Sequence, residues 1–311
     1  MGWIAGIDGG GSKTAFCIMN TESRKMMRAV FPSICPKDHG VEGYRRILEN
    51  AFAFLDIDRK QVEAVCIGVP CFGEYKDLDI QVKKETESLF PHAGIRCEND
   101  CFVGFAGAFG MSPGIHVISG TGAVAYGMDS MGKSARSNGW HPVFSDEGSG
   151  VWLGRAAFGL FAKEADGREK KGKLFETFEE ELGIHSPAEA IAYYEEHCRL
   201  SRTELAKTQK VLLKAAAQGD RPAAELYEHA AEQLALSAYA VYGKLSFEER
   251  VSVSYSGGVF RAGEILLAPF RKALSEKIPG CRVVPPKYKP EEGALLAAAR
   301  LIGYSEKIDF T

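Results

Sequence analysis

No stretch of this chain is apolar for the roughly 18 residues that a membrane-spanning helix needs, so no membrane contact is expected. Neither charge is in surplus. The 38 Lys and Arg residues stand against 41 Asp and Glu, a net charge of −3, with the signs mixed along all 311 residues. Without a basic stripe, nucleic acid is not an expected partner. No CxxC pair occurs among the eight cysteines: Cys17, Cys35, Cys66, Cys71, Cys97, Cys101, Cys198 and Cys281. Their nearest spacings are Cys97/Cys101 and Cys66/Cys71, and most lie in apolar runs, where cysteine packs as a small hydrophobe. Reduced structural thiols in a cytoplasmic protein are the expectation, with a metal, cluster or redox role as the alternative. A signal peptide is not expected, because the apolar run Trp3–Ile7 is too short and meets Asp8 at once.

What is present is ordinary for a globular protein: 45% hydrophobic and 25% charged residues. The length exceeds one core and predicts two domains of roughly 100–200 residues each. Short apolar runs "WIAGIDGG", "KTAFCIMN" and "KMMRAVF" predict three antiparallel strands, with "NTES" as a turn. Helical spacing follows at residues 44–55 and 78–90, with strands at 62–70 and in "GIRCEND", and then a helix in "CFVGFAGAFG". After Gly114 the grammar restarts: "IHVISGTGAVAYGM" reads as strand, glycine turn, strand. Two βββαβα halves follow from that echo. From Glu147 to Gly243 the pattern is mostly helical, with "KEADGREKKGK" as an exposed loop; its apolar stripes serve as core or as a dimer face. "RVSVSYSGGVF" is a strand with a glycine turn, and "AGEILLAPFRKAL", "CRVVPP" and "PEEGALLAAARLIG" are helix, strand and helix.

Four loops have the composition for chemistry. "GIDGGGSKT" places Asp8 before Gly9, Gly10, Gly11, Ser12, Lys13 and Thr14. Glycines let successive N–H groups face an anion, and a carboxylate at the strand end can hold Mg²⁺ through water. The order is neither that of a P-loop nor that of a dinucleotide turn, since a strand and not a helix follows. "SGTGAV" (Gly120, Thr121, Gly122) again suits phosphate oxygens, and "SGGVF" (Gly257, Gly258) would let an adenine or ribose lie on backbone. A plain tight turn is the alternative for each. In "NGWHPVFSDEGSG", Gly139 and Trp140 form an apolar platform beside Asp146, which suits a sugar; Asp146 or Ser149 is equally a helix N-cap. Asp100, at a strand end, is a general base for a hydroxyl or an N-cap.

Taken in order, "GIDGGGSKT", "END", "SGTG", "NGW" with "DEGSG", and "SGGV" resemble the BadF/BadG/BcrA/BcrD-type family over nearly the whole chain, and within it the N-acetylglucosamine kinases. The resemblance implies an α/β fold of two ribonuclease-H-like, actin-like ATPase lobes around a nucleotide cleft. Residues 1–110 with 290–311 would form the N-terminal lobe and 111–289 the C-terminal lobe with a helical insertion. It implies ATP and Mg²⁺ as cofactors, a sugar as substrate and a homodimer as a compatible assembly. By position, Asp8 would help to place Mg²⁺, residues Gly9 to Thr14 would wrap the β- and γ-phosphates, and Ser12 and Thr121 would contact the nucleotide. Gly257, Gly258 and Arg261 would back the adenosine, Asp100 would be the base toward the sugar 6-hydroxyl, and Gly139, Trp140, His141 and Asp146 would meet the sugar. One departure stands out: the Asn usual after the third strand is missing from "FPSICPKDHG", leaving Ser33, Lys37, Asp38 or His39 to serve. His141, where glycine is usual, is a second. The rivals are an ATPase activator of 2-hydroxyacyl-CoA dehydratases, with a cysteine-held cluster bridging a dimer, and a sugar sensor without turnover; a sensor would carry an added DNA-binding domain before the first strand.

Overall fold

The computed structural model describes residues 2–304 and 306–310. The chain begins with a hairpin pair and a third strand, β1 (Trp3–Gly9), β2 (Lys13–Asn20) and β3 (Met26–Pro32), followed by α1 (Pro36–Phe54). Then come β4 (Val62–Val69), α2 (Lys76–Leu89), β5 (Gly94–Asn99) and α3 (Asp100–Phe109). The grammar repeats as β6 (Gly114–Ser119), β7 (Ala123–Met128), β8 (Ser134–Asn138) and α4 (Gly150–Asp166). A helical stretch follows: α5 (Lys173–Leu182), α6 (Pro187–Tyr193), α7 (Arg202–Lys207), α8 (Gln209–Ala217) and α9 (Arg221–Tyr242). β9 (Ser252–Ser256), α10 (Glu264–Lys277), β10 (Arg282–Val284) and α11 (Pro290–Leu301) close the chain.

Two compact units result. One runs through Ser112 and takes back the chain from Pro286; the other spans Pro113–Pro285. Each is built on a five-stranded sheet, β3-β2-β1-β4-β5 in the first and β10-β9-β6-β7-β8 in the second. In both, three antiparallel strands meet two parallel ones, the arrangement of a ribonuclease-H-like lobe. α1 begins later in sequence pattern than in space: Pro36 occupies its first turn, and a kink at Gly40, with φ of +68°, joins that turn to the amphipathic stretch. "KEADGREKKGK" divides, since α4 continues through Asp166 and only the following residues form an exposed connection.

Register decides which residues share an edge. In the first unit Asp8 pairs with Gly68, Gly68 with Glu98, and Val69 with Asn99. Asp8 and the Asn99–Asp100 step therefore lie at the same carboxyl-end edge, where open α/β sheets place their ligands. In the second unit Ser119 pairs with Ala123, Ile118 with Ser256, and Val124 with Asn138. Three loops are thus gathered at one edge there as well.

Each sheet has its own core. Ile7, Phe16, Tyr44, Phe52, Ile67 and Phe90 fill the first, with Phe52 and Phe90 ring centroids 5.0 Å apart. The second is larger; Phe161 stacks on Phe178 at 4.6 Å, and Tyr227, fully buried, donates its hydroxyl to the Gln209 carbonyl at 2.9 Å. α9 gives Leu234, Ala235, Ala238 and Val241 to this core, while Leu236, Tyr239 and Tyr242 remain exposed. Burying a side chain of this size contributes roughly 1.5–3 kcal/mol.

The tightest contact in the first unit is backbone on backbone. A methyl added at Gly6 of β1 would lie 2.1 Å from the Leu295 nitrogen and 2.3 Å from the Glu291 carbonyl oxygen of α11. Neither atom can swing aside. Gly6→Ala is expected to destabilise the chain by about 3 kcal/mol, read as a lowered urea midpoint; an unchanged midpoint would show that α11 is free to shift.

Candidate active site

The glycine hairpin after β1 is closed by the Gly10 N–H, which donates to the Lys13 carbonyl at 2.9 Å. Gly11, Ser12 and Lys13 stand out into solvent. Thr14 does not. It is fully buried, its hydroxyl donates to the Pro32 carbonyl at 2.9 Å, and its oxygen accepts the Ile34 N–H at 3.0 Å. Expected among the phosphate contacts, the Thr14 side chain instead spends its bonds fastening β2 to the chain after β3. Ser33 completes the brace by donating to the Gly10 carbonyl at 2.7 Å.

Asp8 sits beneath this hairpin with its pKa raised from 3.8 to about 7. Burial is the main cause, followed by the negative charges of Asp100 and Glu291; Lys13 opposes them. Three carboxylates therefore act on one spot with one cation in partial balance. Among the described residues no three His, Cys, Asp or Glu side chains are placed to enclose a metal ion. The donor set fits Mg²⁺ held by one carboxylate, water and phosphate oxygens, the manner in which that ion usually binds. Glu291, which opens α11, carried no signal in the sequence beyond its place in the "PEEG" helix start.

Asp100 is the first residue of α3, at the edge that Asp8 shares. It is not the N-cap: Asn99 is, accepting the Cys101 N–H on Oδ1 at 3.2 Å and donating from Nδ2 to the Phe72 carbonyl at 2.9 Å. The structural alternative for Asp100 thus falls to its neighbour. Nearby, Cys97 donates to the Thr86 hydroxyl at 3.6 Å and Cys101 is buried.

In the second unit the "SGTG" turn, the "SGGV" turn and the start of α4 form one cluster. Gly257 has φ of +105°, and a methyl there would lie 2.1 Å from the Ser119 carbonyl oxygen, so only glycine allows the two turns to touch. The Ser119 hydroxyl donates to the Gly148 carbonyl at 2.7 Å, and the Gly150 N–H to the Gly120 carbonyl at 2.8 Å. Below them His116 bonds Ser256 at 2.9 Å, and burial drives its pKa to about 3, so the ring is neutral. Thr121, Gly257, Gly258 and Arg261 are exposed above.

The loop from Gly139 to Ser149 hangs on Asn138, which the sequence reading passed over. With φ of +65°, its Oδ1 accepts the Gly139 N–H at 2.9 Å, the Ser145 hydroxyl at 2.6 Å and the Asp146 N–H at 2.7 Å. Its Nδ2 donates to the Glu147 carbonyl at 3.2 Å. The dipeptide Asn-Gly was the available signal, since it favours positive φ. Ser149 caps α4: its hydroxyl oxygen accepts the Trp152 N–H at 3.1 Å, and its own N–H donates to the Asp146 carbonyl at 3.0 Å. Asp146, expected to meet a sugar, is 3% exposed and turned inward; it accepts from Arg202 at 3.1 Å and from the Ala123 N–H, while burial raises its pKa. Charge burial explains this orientation, because the carboxylate needs both partners. The exposed face of the loop is Trp140, 60% accessible, with the Arg136 guanidinium 4.5 Å from its ring centre. His141 stacks on Phe144 at 5.1 Å.

Of the residues offered in place of the missing Asn, Ser33 is buried under Gly10 and Lys37 donates to the Tyr75 hydroxyl at 3.1 Å. Asp38 and His39 are exposed in the first turn of α1.

Comparison with known proteins is consistent over the full length. The chain is 31% identical over 304 residues, 96% of it and 98% of its relative, to the N-acetylmuramic acid/N-acetylglucosamine kinase of Clostridium acetobutylicum. It is 26% identical over 309 residues, 94% of it and 96% of the relative, to the N-acetyl-D-glucosamine kinase of Dictyostelium discoideum. The crystal structure of a candidate N-acetylglucosamine kinase from Chromobacterium violaceum superposes with a TM-score of 0.73 at 22% identity, covering 95% of this chain and 98% of that one. The signature of the BadF/BadG/BcrA/BcrD ATPase family spans residues 5–298, and the chain belongs to that family.

Proposed function

We propose that this protein is an ATP-dependent sugar kinase that transfers the terminal phosphoryl group of ATP to a hydroxyl, the 6-hydroxyl, of N-acetylglucosamine or a related amino sugar. The observation that carries the reading is the meeting of Asp8 and Asp100 at one sheet edge beside an exposed glycine hairpin, with the charge of one acting on the other. The two curated relatives, both amino-sugar kinases matched over almost their whole length, support it.

Phosphoryl transfer asks for positioning and charge neutralisation rather than covalent chemistry. In this reading the hairpin from Gly9 to Lys13 receives the β- and γ-phosphates, with the exposed Gly11, Ser12 and Lys13 turned toward them and Thr14 locking the hairpin from below. Thr121 and its glycines receive phosphate oxygens, and Gly257, Gly258 and Arg261 support the nucleoside. Asp100 accepts the proton of the attacking hydroxyl. Gly139 and Trp140 carry the sugar on the ring face that Arg136 leaves open, flanked by His141, while Asp146 braces the loop. Mg²⁺, held through water at Asp8, would supply positive charge to the phosphates.

The direct test is ADP release from Mg-ATP against N-acetylglucosamine, glucosamine, N-acetylmuramic acid, N-acetylmannosamine, glucose and no sugar. Release that depends on an amino sugar is expected; equal release without sugar would remove the kinase reading. Asp100→Asn is expected to bind ATP as before and to lose about 10²–10⁴-fold in transfer rate. Transfer near the wild-type rate would take Asp100 out of the mechanism.

The raised pKa of Asp8 gives two pH signatures. Mg²⁺ competes with a proton at Asp8, so its apparent affinity should weaken as pH falls below about 7, and Asp8→Asn should abolish that slope. In the metal-free chain the folded state holds this proton more tightly than the unfolded one. Stability from this group is therefore full below the ordinary value of 3.8, falls as pH rises, and levels off above about 7. Asp8→Asn should then melt higher than wild type at pH 8 without Mg²⁺; a lower melting point would contradict the assignment.

A further inference from the structure

Arg202, the first residue of α7, keeps 57% of its side chain exposed, yet a buried carboxylate holds its tip. Its Nη2 donates to Asp146 Oδ2 at 3.1 Å. Nothing in "LSRTELAK" marks this arginine, because its partner lies 56 residues away.

The pair meets at the "SGTG" turn. A methyl carbon added at Gly122 would lie 3.1 Å from Asp146 Oδ2 and 3.6 Å from Arg202 Nη2. The same turn receives the start of α4, where the Gly150 N–H donates to the Gly120 carbonyl at 2.8 Å and the Val151 N–H to the Thr121 carbonyl at 3.3 Å. Thr121 stays exposed there. One turn thus gathers an exposed hydroxyl and an exposed cation.

Packing leaves α7 no freedom to carry Arg202 elsewhere. A methyl carbon at Gly154 of α4 would lie 2.1 Å from the Leu205 carbonyl oxygen, and one at Gly150 would lie 3.1 Å from Ala206 Cβ. The two helices therefore touch nearly backbone on backbone, one helical turn from Arg202. Ser201 caps α7 by accepting the Glu204 N–H at 3.2 Å, and Lys207, the other cation of this helix, donates to Glu204 at 2.6 Å.

Neutralising Asp146 accounts for only part of this arrangement. A guanidinium that served the buried carboxylate alone would bond it at two points and be withdrawn with it. Arg202 reaches Asp146 through Nη2 only, and among the described residues it makes no other side-chain hydrogen bond. The rest of its planar fork faces outward beside the turn, and phosphate is an anion that such a fork matches.

We propose that Arg202 is a phosphate-binding residue of the nucleotide site, held at the "SGTG" turn by Asp146 and bonding an oxygen of the ATP phosphate chain. The proposal rests on the kinase reading, in which that turn receives phosphate oxygens. Asp146 then serves two parts of the site at once: it braces the Trp140 loop and it aims the cation that meets the nucleotide.

The test measures binding of ATP, ADP and adenosine to the full chain by calorimetry. Arg202→Met is expected to weaken ATP and ADP about 10- to 100-fold and to leave adenosine unchanged. Arg202→Lys, which keeps the charge without the fork, should fall in between. Equal weakening of adenosine would show that Arg202 only supports the turn, and would overturn the proposal. The wild-type chain gives a second readout. Phenylglyoxal on Arg202 blocks trypsin there and leaves peptide 200–207 uncut. ATP, and not adenosine, should suppress that product; equal modification with and without ATP would overturn the proposal even if Arg202→Met fails to fold. A wild-type chain that binds no ATP would overturn the kinase reading and this proposal together, whereas ATP affinity unchanged in Arg202→Met would overturn this proposal alone.

Discussion

Parallel pairing of β1 with β4 and of β4 with β5 is the constraint on which the first unit depends. Successive residues of a strand point to opposite faces, so a slip of one residue between β1 and β4 would turn Asp8 away from Asp100. What prevents the slip is the close approach of α11. Only Gly6 leaves room for the Leu295 nitrogen; its neighbours Ala5 and Ile7 would each bring a side chain against it. A helix from the far end of the chain thereby fixes the register of the first strand, and the same helix brings Glu291 to Asp8. The second unit uses the same device in smaller form, with Gly257 against Ser119 fixing how the "SGGV" and "SGTG" turns meet.

A carboxylate that is buried beside two others is unfavourable in the folded chain taken alone. Such groups are retained where a cation or a proton transfer makes use of them. The second unit supplies a contrast. Glu164 of α4 is also pushed to about 7, by burial and by Asp220. Yet it lies with Asp220 against Gly172 at the start of α5, where Asp220 accepts the Leu174 N–H at 2.8 Å. That pair closes a helix end among core residues. A raised pKa therefore does not mark a site by itself; Asp8 differs in lying at the carboxyl end of a strand, beneath an exposed glycine hairpin.

Both lobes were legible in the residues. Apolar runs of strand length, the glycine turns that end them and the echo after Gly114 are local signals, and strands and helices formed where they pointed. The loops that hold the proposed chemistry were legible for the same reason, because close backbone approach demands glycine whatever the fold. Side-chain roles were less so. Thr14 sits in the motif but is spent on Pro32 and Ile34, and Asp146 lies in its loop but turns toward Arg202 and Ala123. Both partners come from elsewhere in the chain, and no local pattern announces them.

The sequence by itself determined the strand–turn grammar, the two-unit α/β architecture and the candidates Asp8 and Asp100, since these follow from periodicity, glycine and strand ends. Only the tertiary structure decided that Asn99, not Asp100, caps α3, that Asn138 suspends the Trp140 loop and that Glu291 loads Asp8. Each of these is a contact set by register, packing or a turn, and a carboxylate or amide has no fixed role until its neighbours are in place.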